Sequence, residues 1–281
     1  MKIVFFGNTK FSLIGAKIIH TRFPLSLIVT LPDRPNKKGE IIPNSLKTFA
    51  IENKIPYLLV NKIIDETVDQ IAELKPDFLI VEDYGLLLPE RLLKIPKYES
   101  LNIHHSLLPK YRGTSPAPFT ILAGDKVTGV SVIAMNEKVD AGNILAQAEY
   151  AIKSNETTES LLMQLNKLGG EIIIPVIEDY INGKIDPIKQ DGSKATFTKR
   201  MYKIDGHFDI NNPPNKEKLD RMIRAYFPWP TAWTRIKING KEKIVKFLPE
   251  QKLQVEGGKS MSIKDFFNGY PEIKENFKEL F

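Results

Sequence analysis

The sequence predicts an α/β fold followed by a smaller β-rich domain. Short β-rich runs alternate with helical apolar spacing from residue 2 to residue 180, and this alternation indicates a mostly parallel sheet covered by helices. A cluster of Gly, Pro and Asp at 181–193 reads as a loop, and β-rich runs follow it. The chain has 281 residues, which is longer than one typical domain and favours two.

The predicted elements of the first domain follow one another in order. Right-handed crossovers between parallel strands would place the helices on the faces of the sheet. The helical patterns lie at 15–23, 46–52, 64–74 and 157–180, and the last opens with Thr-Thr-Glu-Ser, a possible capping box. The strand-like runs lie at 2–6, 25–31, 56–60, 77–81, 100–104, 128–135 and 144–152.

The second domain is predicted from turn and strand signals near the carboxyl terminus. We place the first domain at 1–195, a linker at 196–207 and the second domain at 208–281. A helical pattern at 216–227 precedes the β-rich runs TAWTRIKI, KEKIVKFL and KLQV. The Asn239–Gly240 pair between the first two runs is a strong signal for a two-residue hairpin turn. A small, barrel-like β domain is therefore expected.

Composition excludes several classes of protein. The chain has no cysteine, so disulfides, thiol nucleophiles and cysteine-ligated metals are excluded. No apolar run approaches the ~18 residues of a membrane span, and the first residues lack the features of a signal peptide. We therefore expect a cytoplasmic protein with no membrane association. The net charge of +6 permits an anionic partner such as RNA without requiring one.

The stretch SLNIHHSLLPKYRG, residues 100–113, is the main candidate for a functional site. It places Asn102 and His104 at the carboxyl end of a predicted strand, where ligands bind in open α/β sheets. A carboxylate such as Asp140 beside an imidazole would fix its tautomer and raise its basicity. An amide N–H can stabilise an oxyanion. These groups together suit transfer of an acyl-like group to an amine. No GxGxxG motif follows the first strand, so a dinucleotide cofactor is not supported.

Spacing alone leaves other interpretations of this stretch open. A histidine at a strand end is more often structural than catalytic. Ser106 could pair with a neighbouring histidine, although no GxSxG elbow is present. His104, His105 and Asp140 could bind a metal, but adjacent residues of an extended chain point to opposite faces. The SLLPKYRG segment could also be only a turn.

Three ordered motifs between Asn102 and Leu145 resemble the folate-dependent formyltransferase family. They are Asn-x-His with Ser-Leu-Leu-Pro and Arg-Gly, then Gly-Asp-x-x-Thr-Gly, then Asp-x-Gly. The resemblance implies a Rossmann-like catalytic domain and 10-formyltetrahydrofolate as the formyl donor, with no metal. It also implies catalytic roles for Asn102, His104 and Asp140. His105 occupies a variable position of the motif and receives no role.

Within this family the chain is most similar to members that formylate the α-amine of methionyl initiator tRNA for translation initiation. The segment 29–47 resembles their loop at the tRNA acceptor stem, and VEDYGLLLP at 81–89 resembles their folate loop. The segments 223–236 and 257–269 resemble their OB-like, tRNA-binding carboxyl-terminal domain. A monomer is expected. The resemblance implies folate binding by Tyr84, Gly85, Leu86, Leu87 and Val139, and tRNA binding by Arg34, Lys37, Lys38 and Arg112.

Some positions depart from the family pattern. Lys38 stands where an arginine is usual, Glu40 replaces a cation, and Glu82–Asp83 replace small residues before the folate loop. The second domain is also short. A sugar-nucleotide N-formyltransferase acting on an amino sugar is the alternative enzyme, although the Pro-Asp-Arg-Pro loop argues against it. The single-domain glycinamide ribonucleotide formyltransferases and a non-catalytic RNA-binding protein agree less well with the two-domain length and the three catalytic-type residues.

Overall fold

The computed structural model describes residues 1–35, 39–277 and 280. Two predicted tRNA-binding residues, Lys37 and Lys38, therefore lie outside the described residues. Contacts divide the chain into two compact units. Unit 1 comprises Met1–Thr114, Val127–Ala151 and Leu162–Phe197, and unit 2 comprises Ser115–Lys126, Ile152–Leu161 and Thr198–Phe281. The boundaries proposed from the sequence, at 195 and 208, stay a prediction.

The helices and strands alternate along the first part of the chain. In chain order they are β1 (Ile3–Phe6), α1 (Ser12–Arg22), β2 (Leu25–Thr30), β3 (Arg34–Pro35), β4 (Ile41–Ile42), α2 (Ser45–Glu52), β5 (Tyr57–Leu59), α3 (Asp65–Glu73), β6 (Phe78–Val81), α4 (Glu90–Leu93), β7 (Glu99–His104), α5 (Pro116–Ala123), β8 (Val127–Ala134), β9 (Ile144–Ala151) and α6 (Thr158–Ile181). The later elements are α7 (Lys216–Ala225), β10 (Ala232–Ile238), β11 (Lys241–Leu248), β12 (Lys252–Val255), β13 (Ser260–Ser262) and α8 (Ile263–Gly269).

Unit 1 is built on a seven-stranded sheet in the order β5-β2-β1-β6-β7-β8-β9. The strands from β5 to β7 pair in parallel, and β8 and β9 are antiparallel. The chain builds the sheet outward from β1 to β2 and β5, and then returns to β6 on the other side of β1. Strand order therefore reverses between β1 and β6, and the carboxyl ends of these strands form the crevice where such sheets bind ligands.

Each face of this sheet is covered by helices. On one face, Val4 and Leu79 belong to the same buried cluster as Val68 and Ile71 of α3. On the other face, the ring of Tyr180 in α6 lies edge-on to the ring of Phe78, with centroids 5.9 Å apart. Helices α1 and α6 approach closely on that face, because a Cβ added to Gly170 would lie 3.0 Å from the Cα of Gly15.

The predicted mostly parallel, helix-covered sheet is confirmed, and all seven predicted strands are present within a residue or two of their expected bounds. The capping box of α6 is also present: Ser160 N–H donates to Thr157 Oγ1, and Thr157 N–H donates to Ser160 Oγ. Short elements were not predicted, among them α4, α5 and the β3–β4 hairpin. Helix α4 has four residues, too few to show a period, and α5 carries two prolines in its first three positions.

Unit 2 contains a four-stranded antiparallel sheet in the order β10-β11-β12-β13. The predicted hairpin is confirmed, since Asn239 and Gly240 have φ values of 49° and 75° between β10 and β11. Val245, Phe247 and Leu253 pack in its core with Phe266 of α8. The expected β-rich carboxyl-terminal region is therefore present. Its described strands pair as a meander of four, one fewer than the five strands of an OB barrel.

Helix α6 is long and apolar enough to cross a membrane by length and composition alone. In unit 1 its side chains Leu165, Ile173 and Ile177 are fully buried. Core helices of globular units bury apolar side chains in this way. The packing of α6 in unit 1 therefore explains its long apolar sequence.

Candidate active site

Asn102 and His104 lie on the same face of β7 at its carboxyl end. Side chains alternate along a strand, so residues two apart share a face and the next residue, His105, points to the other. Asn102 pairs with Val81 of β6 and Ile133 of β8, which fixes the strand in the middle of the sheet. The chain then turns sharply, with Ser106 N–H donating to the carbonyl of His104.

Asp140 reaches these two residues from the loop between β8 and β9. Its φ of 50° lies in the left-handed region, which aspartate tolerates better than most residues. One carboxylate oxygen, Oδ2, accepts the N–H of Gly113 at 2.7 Å. The other, Oδ1, accepts from Nδ2 of Asn102 at 3.2 Å and lies 3.6 Å from Nδ1 of His104. The structure therefore brings together the three residues predicted to be catalytic.

The tautomer of His104 follows from its partners. Its Nε2 lies 3.0 Å from the carbonyl oxygen of Tyr111. A carbonyl only accepts, so Nε2 carries the hydrogen, and Nδ1 faces Asp140. Burial lowers the pKa of His104 below its ordinary value, while the Asp140 carboxylate acts in the opposite direction. The ring is thus mainly neutral at neutral pH, with a proton-accepting Nδ1 beside a carboxylate.

A glutamine beyond α6 completes the surroundings of Asp140. The amide Nε2 of Gln190 donates to the carbonyl oxygens of Asp140 at 2.9 Å and Gly142 at 2.7 Å. Its Oε1 accepts from Nε and Nη2 of Arg112, at 3.1 and 2.8 Å. Sequence reasoning missed Gln190, because no local pattern marks a residue 50 positions from its partner.

A second cluster of ionisable groups lies under the other face of β7. The ring of His105 is 3.4 Å from Oδ1 of Asp83 and 3.5 Å from Oε1 of Glu82. Glu82 is fully buried between α1 and α6, where a Cβ on Gly15 would lie 2.0 Å from its Oε2. Thr9 Oγ1 donates to Oδ2 of Asp83 at 3.2 Å, so the cluster bridges the ends of β1 and β6.

The protonation of this cluster follows from burial and proximity. Burial raises the pKa of Glu82 to about 8. Burial alone would lower the pKa of His105, but the Asp83 carboxylate, with a smaller contribution from the contact with Glu82, outweighs burial and raises this pKa to about 10. At neutral pH the cluster therefore holds an imidazolium, an ionised Asp83 and a protonated Glu82. His105 thus has a structural partner set that the sequence motif did not indicate.

This arrangement of a strand-end amide, an imidazole and a loop carboxylate suits proton transfer and oxyanion stabilisation at a carbonyl. The profile of a family described as formyl transferase matches residues 1–177. The chain belongs to the formyl transferase family. The resemblance predicted from the Asn-x-His, Gly-Asp-x-x-Thr-Gly and Asp-x-Gly motifs is confirmed.

Curated members of the formyl transferase family are similar to this chain over most of its length. A methionyl-tRNA formyltransferase from Methylacidiphilum infernorum (isolate V4) is 38% identical over 250 residues, which are 88% of this chain and 78% of that protein. A methionyl-tRNA formyltransferase from Thermodesulfovibrio yellowstonii is 34% identical over 247 residues, which are 87% of this chain and 79% of that protein.

Solved structures share the fold at lower identity. A 4-N formyltransferase from Francisella tularensis has a TM-score of 0.67 at 20% identity, over 89% of this chain and 98% of that chain. HypX from Aquifex aeolicus, solved in complex with tetrahydrofolic acid, has a TM-score of 0.64 at 15% identity, over 100% of this chain and 48% of that chain. At these identities the likeness shows the formyl transferase fold and no substrate.

The residues predicted to bind folate in this formyl transferase fold differ in exposure. The ring of Tyr84 is buried against Phe6, with centroids 5.2 Å apart, so the tyrosine side chain packs in the core. Gly85 has a φ of 83° and begins an exposed segment. Leu87 is 82% exposed and Val139 is 55% exposed, whereas Leu86 is half-buried. The apolar side chains open to a ligand are therefore those of Leu87 and Val139.

The predicted tRNA-binding residues are described only in part. Arg34 is exposed on β3, whose hairpin with β4 is anchored at its base because Asn44 N–H and Lys47 Nζ both donate to Asp33. The guanidinium of Arg112 is held by Gln190 beside the Asp140 loop. Among the described residues, no group of three or more His, Cys, Asp or Glu side chains has a metal-binding arrangement; catalysis without a metal stays a prediction.

Proposed function

We propose that the chain transfers the formyl group of 10-formyltetrahydrofolate to the α-amine of methionyl initiator tRNA. The observation that carries this proposal is the similarity to curated methionyl-tRNA formyltransferases over more than four fifths of the chain, in both units. The juxtaposition of Asn102, His104 and Asp140 supports it, because an imidazole beside a carboxylate can move a proton and an amide N–H can stabilise an oxyanion as an amine is formylated. Product release would give formylmethionyl-tRNA for translation initiation in the cytoplasm.

The reaction moves one carbon between two nitrogens. The amine nitrogen attacks the formyl carbon, a new C–N bond forms, and the bond from that carbon to the donor nitrogen breaks. The amine loses a proton and the departing nitrogen gains one. No covalent bond to the protein is needed, which agrees with a chain that has no cysteine.

His104 and Asn102 have distinct parts in this reaction. Nδ1 of neutral His104 can take the proton of the attacking amine, and the Asp140 carboxylate 3.6 Å away stabilises the imidazolium that results. The second N–H of the Asn102 amide is available to the formyl oxygen as that oxygen gains negative charge. One such donor is typically worth about 10²–10³ in rate.

The residues near the site fit a folate. Leu87 and Val139 expose apolar side chains, and the Gly85–Leu87 segment can offer backbone hydrogen bonds to the polar edge of a flat ring.

Arg34, with Lys37 and Lys38 of the same loop, would contact phosphates of the acceptor stem without reading bases. Arg112 is placed with them by the family resemblance, although its guanidinium is engaged by Gln190. The protein is proposed to act as a monomer.

The deciding experiment supplies purified protein with 10-formyltetrahydrofolate and, in parallel, methionyl initiator tRNA or a panel of amino-sugar nucleotides. Transfer to the charged tRNA alone is the expected result. Transfer to a sugar alone would leave the catalytic residues in place and replace the substrate by the alternative one. Transfer to neither acceptor would contradict the proposed activity.

A further inference from the structure

Gln190 is a buried amide whose three polar positions are all bonded. Only 9% of the residue is exposed. Arginine can only donate and carbonyls can only accept, so the side-chain oxygen must face Arg112 and the side-chain nitrogen must face the two carbonyls. Both amide hydrogens therefore point at the loop that carries Asp140.

The segment that carries Gln190 is itself anchored in unit 1. Ile188 and Ile144 exchange two backbone hydrogen bonds of 2.8 Å, which ties the segment to the first residue of β9. Further along the segment, Thr196 contacts the loop of Tyr111 twice. Its carbonyl accepts the N–H of Arg112, and its Oγ1 accepts the N–H of Tyr111. One stretch of chain thus lies against both loops that contact His104: the loop of Asp140 and the loop of Tyr111.

The Asp140 loop needs external support. Its residue 140 is in the left-handed region, which costs a non-glycine residue conformational energy. Gly142 packs so tightly on the end of β8 that an added Cβ would lie 1.7 Å from the carbonyl oxygen of Ala134. The two donors of Gln190 hold the carbonyls on either side of this tight passage.

We propose that Gln190 is a positioning residue, which holds the Asp140 carboxylate against His104 through its two amide hydrogens. Arg112 orients the amide by gripping its oxygen. The inference rests on the proposed function and deepens it: Gln190, distant in sequence, keeps the carboxylate of Asp140 next to the proton-accepting ring of His104. Arg112 thereby acts on the Asp140 loop through Gln190.

The test compares three variants with the wild-type protein in both measurements, and a fourth, Asp140→Asn, in the titration alone. Gln190→Leu removes both donors at similar volume. Gln190→Glu keeps an acceptor for Arg112 but also removes both donors, and it serves if the leucine variant does not fold. Thr234→Val is the matched control, because Thr234 is buried and its hydroxyl donates to the carbonyl of Phe208 within unit 2, and neither residue belongs to a loop that contacts His104.

Two measurements are made on each protein. The first is steady-state formyl transfer, where kcat is expected to fall about 10- to 100-fold in both Gln190 variants with KM for each substrate within about threefold, as for a small misplacement of a catalytic group. The second is an NMR titration of His104, which is feasible because the chain has four histidines. In Gln190→Leu the pKa of His104 is expected to fall, because Asp140 no longer raises it fully, and Asp140→Asn should move it the same way.

The outcomes separate the inference from the proposed function. A wild-type kcat in Gln190→Glu, or an unmoved His104 titration in Gln190→Leu, overturns the positioning role even if tRNA is formylated. An equal loss in Thr234→Val also overturns it, since the loss of any buried hydrogen bond would then have the same effect. If the wild-type protein formylates no tRNA, the proposed function fails, and the His104 titration alone still decides whether Gln190 holds Asp140.

Discussion

The chemistry of the site depends on His104, because the partners of its two ring nitrogens give each nitrogen a different role. Nε2 donates to the carbonyl of Tyr111, and Nδ1 is left as the acceptor beside Asp140. A ring held in this way has one tautomer and one direction in which a proton can arrive. Its neighbour His105 has the same side chain but pairs with buried carboxyl groups on the other face of the strand. The two histidines therefore have different roles, one in proton transfer and one in structure.

Replacement of His104 by alanine is expected to reduce kcat for formyl transfer about 10²- to 10⁴-fold, the usual contribution of a general acid–base group. Binding of the formyl donor should be largely kept, because the exposed apolar side chains of Leu87 and Val139 are untouched. Single-turnover kinetics and equilibrium binding of the donor measure the two quantities separately. Turnover near the wild-type value would remove His104 from the mechanism.

At the scale of elements, a buried cluster of ionisable groups joins the ends of β6 and β7 to α1 and α6. Glu82 follows β6, His105 follows β7, and the glycines at 15 and 169 leave room for the Glu82 carboxyl group. This cluster lies at the carboxyl end of β6, where Asp83 is bonded to Thr9 beyond β1, and it directly precedes the segment Tyr84–Leu87. Asp83, the last residue before the proposed folate segment, is therefore held from two sides, by His105 and by Thr9.

The stability of unit 1 should depend on this cluster in alkaline solution. In an unfolded chain Glu82 and His105 titrate near 4.5 and 6.5, and in the folded protein their pKa values are raised to about 8 and about 10. The folded state therefore holds protons that the unfolded state has lost, and a group with a raised pKa stabilises less as pH rises through its folded value. The free energy of unfolding is expected to fall from pH 6.5 to pH 10.

Urea unfolding across that pH range measures the effect. The control protein carries Glu82→Gln, Asp83→Asn and His105→Gln, which keep approximate shape and remove the titrating groups. Its unfolding free energy should change less over the same interval. An equal pH dependence in the two proteins would show that the cluster does not titrate as described.

At the scale of the whole molecule, features with a local sequence pattern could be predicted, and features built from distant segments could not. The sheet was predictable because its strands are short apolar runs with local periodicity, and Asn102, His104 and Asp140 were predictable because a motif fixes their order. Gln190 and the His105 cluster were not, since their contacts form only when segments far apart in sequence meet in the fold. Two acids directly after a buried strand, Glu82–Asp83, were the one local signal of that cluster.

The net charge of +6 gives the last prediction, because tRNA is the only polyanion among the proposed substrates. Binding that neutralises phosphates releases counterions, so kcat/KM for methionyl initiator tRNA should fall about 10-fold or more between about 50 and 200 mM salt. KM for the formyl donor should change little over the same range. Arg34→Ala should reduce the slope of log kcat/KM against log salt by about one, as expected for one lost phosphate contact.

The matched control is Lys75→Ala. Lys75 is an exposed cation in the loop between α3 and β6, at the amino end of the sheet and away from the proposed acceptor-stem loop. Its removal lowers the net charge by the same amount and should leave the salt slope unchanged. If Arg34 and Lys75 variants lose slope equally, the tRNA responds to total charge and not to a site on the β3–β4 hairpin. If kcat/KM for the tRNA does not change with salt in the wild-type protein, phosphate contacts do not contribute to binding. That result would contradict the proposed RNA substrate.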